Sequence, residues 1–274
     1  MSKKLFICAH ANFPRGDATA NYIEYFAQAM IYAGYEVYVV SRGKNDRKEW
    51  NQQNACYIHK GIFYHNIDLE YNDIIDFVVN YFREIELVKN RLREFKIEKN
   101  NIILLYTKNY FLIKSLCRLA ADEGIKTAAC ITEWFQPVCY NLGILNPVYW
   151  LDTLGFSRGI PMCRKVFPIS RHLEAYYKKR GCDTMCVPAL TSPILKIADK
   201  RDNDITQFVY SGNNIKKDAI DMIIIAFASL NDAELKKVNL HITGMGKNSL
   251  NYLQKKCKTA LERIKPILKI HEWM

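Results

Sequence analysis

The sequence lacks several features that would each point to a particular class of protein. No stretch approaches the roughly 18 apolar residues of a membrane-spanning helix. The nine cysteines contain no Cys-x-x-Cys pair, which argues against the common zinc and redox modules. His10 and Asn12 interrupt the first apolar run too early for a secretory signal. An odd number of cysteines without a disulfide framework predicts a reducing compartment, and we therefore expect a cytoplasmic protein.

What the sequence does contain is ordinary for a globular protein, apart from its charge. It has 274 residues, of which 49% are hydrophobic and 24% charged, enough for two domains. The formal net charge of +11 indicates an anionic partner, such as an acidic lipid surface or a phosphorylated ligand. No nucleic-acid-binding signature accompanies the charge, so nucleic acid is not expected. Many basic residues also alternate with glutamates, as on the solvated face of a helix.

The first 41 residues carry the pattern of a strand, a helix and a second strand. Residues 5–9 predict a buried strand, residues 18–33 an amphipathic helix, and residues 35–40 another strand. Such a unit forms a parallel crossover, and ligands of such sheets bind beyond the carboxyl ends of the strands. The loop at 12–17 is therefore a candidate site, where Gly16 allows close approach to an anion such as phosphate. The same loop also suits a plain turn that needs glycine for its geometry.

The alternation of strands and helices continues and predicts an α/β fold with a doubly wound sheet. Residues 42–60 are predicted as a loop or a short helix. The amphipathic helix predicted at 72–95 suits packing on the sheet, with contact to a membrane surface as the alternative. Further strands are predicted at 62–65, 101–106, 126–132 and 166–169, and another helix at 111–123.

Glu133 follows the fifth predicted strand directly. A carboxylate at the carboxyl end of a parallel strand faces the ligand crevice, so Glu133 is a candidate catalytic or acceptor-contacting group. The alternative is that Glu133 caps a turn or pairs with a nearby base.

The segment from Ile169 to Gly181 resembles a known family. Its pattern, Ile-Ser-x-x-Leu-x-x-Tyr-Tyr-x-x-x-Gly after a strand, is similar to the end of the N-terminal domain in GT-B glycosyltransferases. The likeness is greatest to the large retaining family 4 (glycosyl transferases group 1), which builds capsular and lipopolysaccharide glycans. Ser170 is also well placed to cap the helix that follows.

Residues 207–218 resemble the start of the second domain in that family, with a strand, a glycine and a basic residue that opens a helix. In the family a Gly-Arg pair and a later Lys stabilise the leaving diphosphate. Gly212 and Lys217 match this pattern, whereas Asn213 stands where the arginine is usual. Residues 239–246 resemble a later strand with its Gly-x-Gly turn. The donor-binding residues implied by the resemblance are Gly16, Gly212, Asn213, Lys217, Gly244 and Gly246, and the catalytic residues are Glu133 and Lys217.

The chain departs from the family at two points. Glu133 stands where the family commonly has a histidine, and the printed sequence stops before the elements in which the family carries the Glu-x7-Glu motif that holds the donor. We therefore expect an acceptor-side Rossmann-like domain at 1–195 and an incomplete nucleotide-sugar-binding Rossmann-like domain at 196–274.

The resemblance implies transfer of a sugar from a UDP- or GDP-linked donor to a glycan or lipid-linked acceptor in cell-surface polysaccharide biosynthesis. It also implies retained anomeric configuration and no obligatory metal or other cofactor. The basic charge adds the expectation of peripheral contact with an anionic membrane at its cytoplasmic face. Two alternatives stay open: a non-catalytic, truncated transferase that acts as a binding or scaffold protein, and a nicotinamide-dependent Rossmann enzyme. The second is disfavoured because the first loop lacks a compact GxGxxG.

Overall fold

The structure is a computed structural model that describes residues 3–15, 18–52, 55–69, 74–140, 142–191, 204–212 and 218–271. The chain divides into two compact units, Met1–Leu195 and Lys196–Met274. None of the described helices is both long and apolar enough to cross a bilayer.

The first unit is built on one large sheet, whose strands in the described part lie in the order β3-β4-β5-β2-β1-β6-β7-β8-β9. Pairing is parallel from β5 through to β9, and the edge strands β3 and β4 are antiparallel. The chain winds outwards from β1 in one direction and then returns to its other side, which is the doubly wound topology. The strands are β1 Lys3–Ala9, β2 Tyr35–Ser41, β3 Trp50–Asn51, β4 Cys56–His59, β5 Ile62–Asn66, β6 Ile102–Tyr106, β7 Lys126–Ile131, β8 Lys165–Pro168 and β9 Asp183–Thr184.

Helices of the first unit have the local signals that begin and end helices. Asn109 caps α3 by accepting a hydrogen bond from the Leu112 amide, and Gly124 ends that helix in the left-handed conformation. Ser170 caps α5 through the Leu173 amide, as predicted. The α-helices are α1 Ala18–Tyr32, α2 Ile74–Glu94, α3 Tyr110–Glu123, α4 Pro147–Leu154 and α5 Arg171–Lys178; a π-helical turn, Gly155–Gly159, and a 3-10 turn, Ile160–Cys163, follow α4.

Side chains of the central strands alternate between two buried clusters, one on each face of the sheet. In β1, Phe6 and Cys8 belong to one cluster, while Leu5, Ile7 and Ala9 belong to the other. Both faces are covered, as parallel sheets require, and this explains the continuous apolar runs of the strands.

Two stretches differ from the sequence expectation. Residues 42–60 contain β3 and β4, and a two-residue turn at Lys60 and Gly61, with φ of 49° and 80°, joins β4 to β5 as a hairpin. Both central residues have positive φ, as in a type I′ turn. Along α2, Val88 is buried as expected, but three apolar side chains of its first half are about half exposed: Val78, Val79 and Phe82.

The second unit has a parallel sheet whose described strands are ordered β10-β11-β12. The strands are β10 Thr206–Ser211, β11 Val238–Thr243 and β12 Leu268–His271, and the helices are α6 Ile220–Ala228, α7 Asp232–Leu235, α8 Lys247–Lys256 and α9 Lys258–Ile264. Its core joins Ile220 and Ile224 of α6 to Leu240 and Ile242 of β11. The predicted fold class, α/β with two Rossmann-like units, is confirmed.

Candidate functional site

A cleft of about 560 Å³ lies at the ligand-binding edge of the first sheet. It lies where β1, β6 and β7 end, at the point where the winding of the sheet reverses between β1 and β6. Open α/β sheets bind their ligands at such switch points. Its polar lining includes His10, Asn12, Arg42, Tyr106, Lys108 and Glu133.

His10 is the first residue after β1, and its backbone amide donates to the carbonyl of Tyr106 at 2.8 Å. Burial, together with the positive charges of Arg42 and Lys108, holds the pKa of the imidazole well below its usual range. The ring is therefore neutral at pH 7. The Nε2 atom lies within hydrogen-bond distance of Nη1 of Arg42. Because a guanidinium group can only donate hydrogen bonds, Nε2 is the acceptor and the ring proton lies on Nδ1.

Arg42 follows β2 and is fixed by a carboxylate from α2. Its Nε and Nη2 atoms donate to the two carboxylate oxygens of Glu84 at 2.7 and 2.5 Å. Asn109, the cap of α3, donates to the same carboxylate at 2.8 Å and to the Tyr81 carbonyl at 2.8 Å. The three side chains are almost wholly buried. This buried network joins β2, α2 and α3 and holds Arg42 against His10 at the cleft wall.

Lys108 is placed by a second pair of charges. Its ammonium group pairs with the buried carboxylate of Asp152, which also accepts a hydrogen bond from the Tyr140 hydroxyl at 2.7 Å. Burial and this carboxylate raise the pKa of Tyr140, so the phenol stays protonated. The ammonium also lies 5.1 Å from the ring centre of Phe135.

Gly155 allows α4 and the π-helical turn to approach the backbone of Lys108. A Cβ atom at residue 155 would lie 1.8 Å from the Lys108 carbonyl oxygen, so no larger residue fits there without a backbone shift. The glycine at 155 thus contributes directly to the position of the cleft lysine.

Glu133 lies in this cleft, at the end of β7, where its position in the sequence had placed it. Beside it, Thr132 is hydrogen-bonded to the hydroxyl of Tyr106, and burial raises the pKa of Tyr106 to about 12. Among the described residues, the cleft therefore presents the Glu133 carboxylate beside neutral hydroxyl and imidazole groups, two locally neutralised cations and the aromatic ring of Phe135. Convergent polar groups beside an apolar surface suit a polar ligand with hydroxyl groups.

The second unit brings three of the predicted glycines to one edge of its sheet. Gly212 follows β10, and its amide donates to the Thr243 carbonyl at 3.1 Å, so it lies beside the turn that holds Gly244 and Gly246. A Cβ atom at residue 212 would lie 2.4 Å from the Tyr210 hydroxyl. Gly244 has φ of 91°, which favours glycine. Gly246 immediately precedes α8 and leaves its first amides without a side-chain cap.

Three predicted site residues lie outside the described residues: Gly16, Asn213 and Lys217. Sequence reasoning also missed several residues of the first cleft. His10, Arg42 and Lys108 each follow a strand closely, so the rule that selected Glu133 would have selected them too. Glu84 lies within α2, 42 residues from Arg42, and gives no signal in the sequence.

No family model matches the chain, and no curated protein sequence matches it either. Several solved structures, however, are similar to it in fold. Sucrose-phosphate synthase from Thermosynechococcus elongatus is 12% identical with a TM-score of 0.69, over 99% of this chain and 71% of that one. WaaG, a glycosyltransferase involved in lipopolysaccharide biosynthesis, is 12% identical with a TM-score of 0.62, over 98% and 70%. HepE from Anabaena, in complex with UDP-glucose, is 11% identical with a TM-score of 0.60, over 99% and 69%.

The likeness is one of fold, because the identities are low. It shows that the chain has the GT-B fold, which confirms the architecture that the sequence motifs had indicated. The resemblance to the retaining family in particular stays a prediction.

The buried network predicts that removal of one charge in α2 destabilises the first unit. Glu84→Gln leaves the Arg42 guanidinium buried without its carboxylate, and we expect a loss of about 3–5 kcal/mol in the free energy of unfolding. Urea unfolding followed by circular dichroism measures it. The matched control is Glu86→Gln in the same helix, whose carboxylate lies on the surface 3.5 Å from Arg93. The control loses at most about 1 kcal/mol; equal losses for both variants contradict the prediction.

Proposed function

We propose that this protein takes part in sugar transfer, moving a sugar from a nucleotide-sugar donor to a glycan or lipid-linked acceptor. The observation that carries the proposal is the GT-B fold with a polar cleft at the carboxyl edge of its first sheet. The finer proposal is a hexosyltransferase that retains the anomeric configuration and acts in cell-surface polysaccharide biosynthesis. Its proposed location is the cytoplasmic face of a membrane.

The edge of the second sheet supports a nucleotide-sugar donor. Gly212 and Gly244 lie at this edge, and Gly246, which has no side chain to cap α8, precedes the first amides of that helix. Backbone amides at the start of a helix bind phosphate well. The solved HepE structure contains UDP-glucose, which is consistent with a donor of this class.

In the proposed mechanism the main contribution is electrostatic stabilisation of the departing diphosphate. Lys217 and the helix-start amides supply positive charge to that group, and no metal is required. Asn213 replaces the arginine usual at this place and contributes an uncharged contact. In the first unit, Glu133 contacts the acceptor or the reacting centre, while the neutral His10 lines the same cleft.

The direct test is a donor survey. The purified protein is incubated with UDP- and GDP-linked hexoses, with and without EDTA, and release of the free nucleotide diphosphate is measured. We expect release from one donor class, undiminished by EDTA, and a product whose anomeric configuration by proton NMR is that of the donor. Glycan binding without any release favours the binding or scaffold protein instead.

Lys217→Ala is expected to weaken binding of the nucleotide diphosphate by about tenfold or more, because it removes a charge-assisted contact. Isothermal titration with UDP and GDP measures the affinity. Lys255→Ala is the matched control, since Lys255 lies in the last turn of α8, at the opposite end from Gly246. If the affinity of the Lys217→Ala variant for the nucleotide is unchanged, the assignment of Lys217 to the donor site is wrong.

Glu133→Gln is expected to lower the acceptor kcat/KM by about 100-fold, within the range for loss of a positioned acid–base group. Nucleotide affinity stays the same, because Glu133 lies in the first-unit cleft. Glu123→Gln, at the exposed end of α3, controls for loss of one negative charge. Full activity in the Glu133→Gln variant would show that this carboxylate contacts neither the acceptor nor the reacting atoms.

A further inference from the structure

The stretch of residues 134–151, which follows Glu133, carries no charged residue over eighteen positions. Although it belongs to a globular unit, several of its large apolar side chains point to solvent. Five of them are exposed over 58–78% of their surface: Val138, Leu142, Ile144, Leu145 and Trp150. Soluble proteins rarely expose contiguous apolar side chains in this number without a partner for them.

This uncharged segment is held in place by its own polar groups. The Trp150 indole donates to the Ile144 carbonyl at 2.7 Å, and Asn146 caps α4 through the Val148 amide at 2.8 Å. The ring of Tyr149 lies 5.2 Å from that of Trp150 and 5.5 Å from that of Tyr140. Backbone hydrogen bonds within the segment add to these contacts, and the five apolar side chains named above remain exposed.

Leu142 combines an uncommon backbone conformation with an exposed side chain. It has φ of 66°, which costs free energy for residues other than glycine, and its side chain is among the most exposed of the segment. Packing within the chain returns little of that cost.

Charges around the segment indicate what the partner is. Exposed basic side chains lie on the elements that pack against α4: Lys114 and Arg118 on α3, and Arg158 on the π-helical turn. The exposed acidic residues of α3, Asp122 and Glu123, lie at its very end. The one acidic residue between 134 and 162, Asp152, is buried and paired with Lys108. A second copy of this surface would repel these positive charges, whereas anionic lipid headgroups attract them.

We propose that the uncharged segment inserts into the interfacial region of a bilayer that contains anionic lipid. Tyrosine and tryptophan favour this region because their rings are apolar and carry one polar atom, and leucine and isoleucine reach into the acyl boundary beneath it. Phe135, at the start of the segment, lines the cleft of the first unit. Docking therefore brings that cleft to the headgroup layer, where a lipid-linked acceptor would enter the cleft. The entry of such an acceptor rests on the proposed function, whereas lipid binding by the segment does not.

The test is co-sedimentation of the purified protein with vesicles of phosphatidylcholine alone or with about 30 mol% phosphatidylglycerol, without donor or acceptor. The wild-type protein is expected to bind the anionic vesicles. The variant Leu142→Gln/Leu145→Gln/Trp150→Ser is expected to lose about tenfold or more in partitioning. A matched control on α2, Val78→Gln/Val79→Gln/Phe82→Ser, removes side chains of 48–57% exposure and is expected to change little.

A second measurement locates the contact. The substitutions Trp50→Phe, Trp134→Phe and Trp273→Phe leave Trp150 as the sole tryptophan. We expect bromine-labelled lipid to quench the fluorescence of Trp150, and its emission maximum to shift to the blue when the protein binds vesicles. The proposal is overturned if wild-type protein stays in the supernatant, if the α2 control rather than the segment variant abolishes binding, or if Trp150 is not quenched. The oligomeric state is measured by sedimentation equilibrium. The proposal is also overturned if the wild-type protein is a dimer, the segment variant is a monomer, and the two bind lipid equally.

Discussion

The buried pair of Arg42 and Glu84 is the interaction on which the first unit's candidate site depends. Two charges have been removed from water there, which is favourable only because both carboxylate oxygens and the guanidinium are satisfied in a bidentate geometry. Asn109 donates a further hydrogen bond to the Glu84 carboxylate and also caps α3, so one network fixes both the end of β2 and the start of α3. His10 stays neutral beside it. A rigid, polar cleft wall follows from this single requirement of charge compensation.

The sheet supplies the second constraint. Parallel strands direct all of their carboxyl ends to one edge, so residues that follow β1, β6 and β7 meet although long stretches of sequence separate them. The edge of the second sheet gathers Gly212, Gly244 and Gly246 by the same geometry, in a unit with its own core. In the described residues, polar and charged side chains line the edge of the first sheet, whereas three glycines lie at the edge of the second.

Much of the fold was predictable because its signals are local. Apolar runs and the 3.6-residue period gave the strands and helices, and Gly124 and Ser170 marked a helix end and a helix start. The β4–β5 hairpin escaped prediction because Lys60 and Gly61 form its turn without the usual Asn-Gly or Asp-Gly. Glu133 was found by its position after a strand. Glu84 was not predictable, since a glutamate within an amphipathic helix normally faces water.

By itself the sequence determined the order of the elements apart from β3 and β4, the caps of individual helices, and the strand ends at which the candidate residues lie. Those features depend on backbone preferences and hydrogen bonds that act over a few residues. Only the tertiary structure decided that Arg42 meets Glu84, that Lys108 meets Asp152, and that five apolar side chains of residues 134–151 face outwards. Charge pairing and burial depend on which distant segments pack together, and a side chain's type alone does not specify its neighbours.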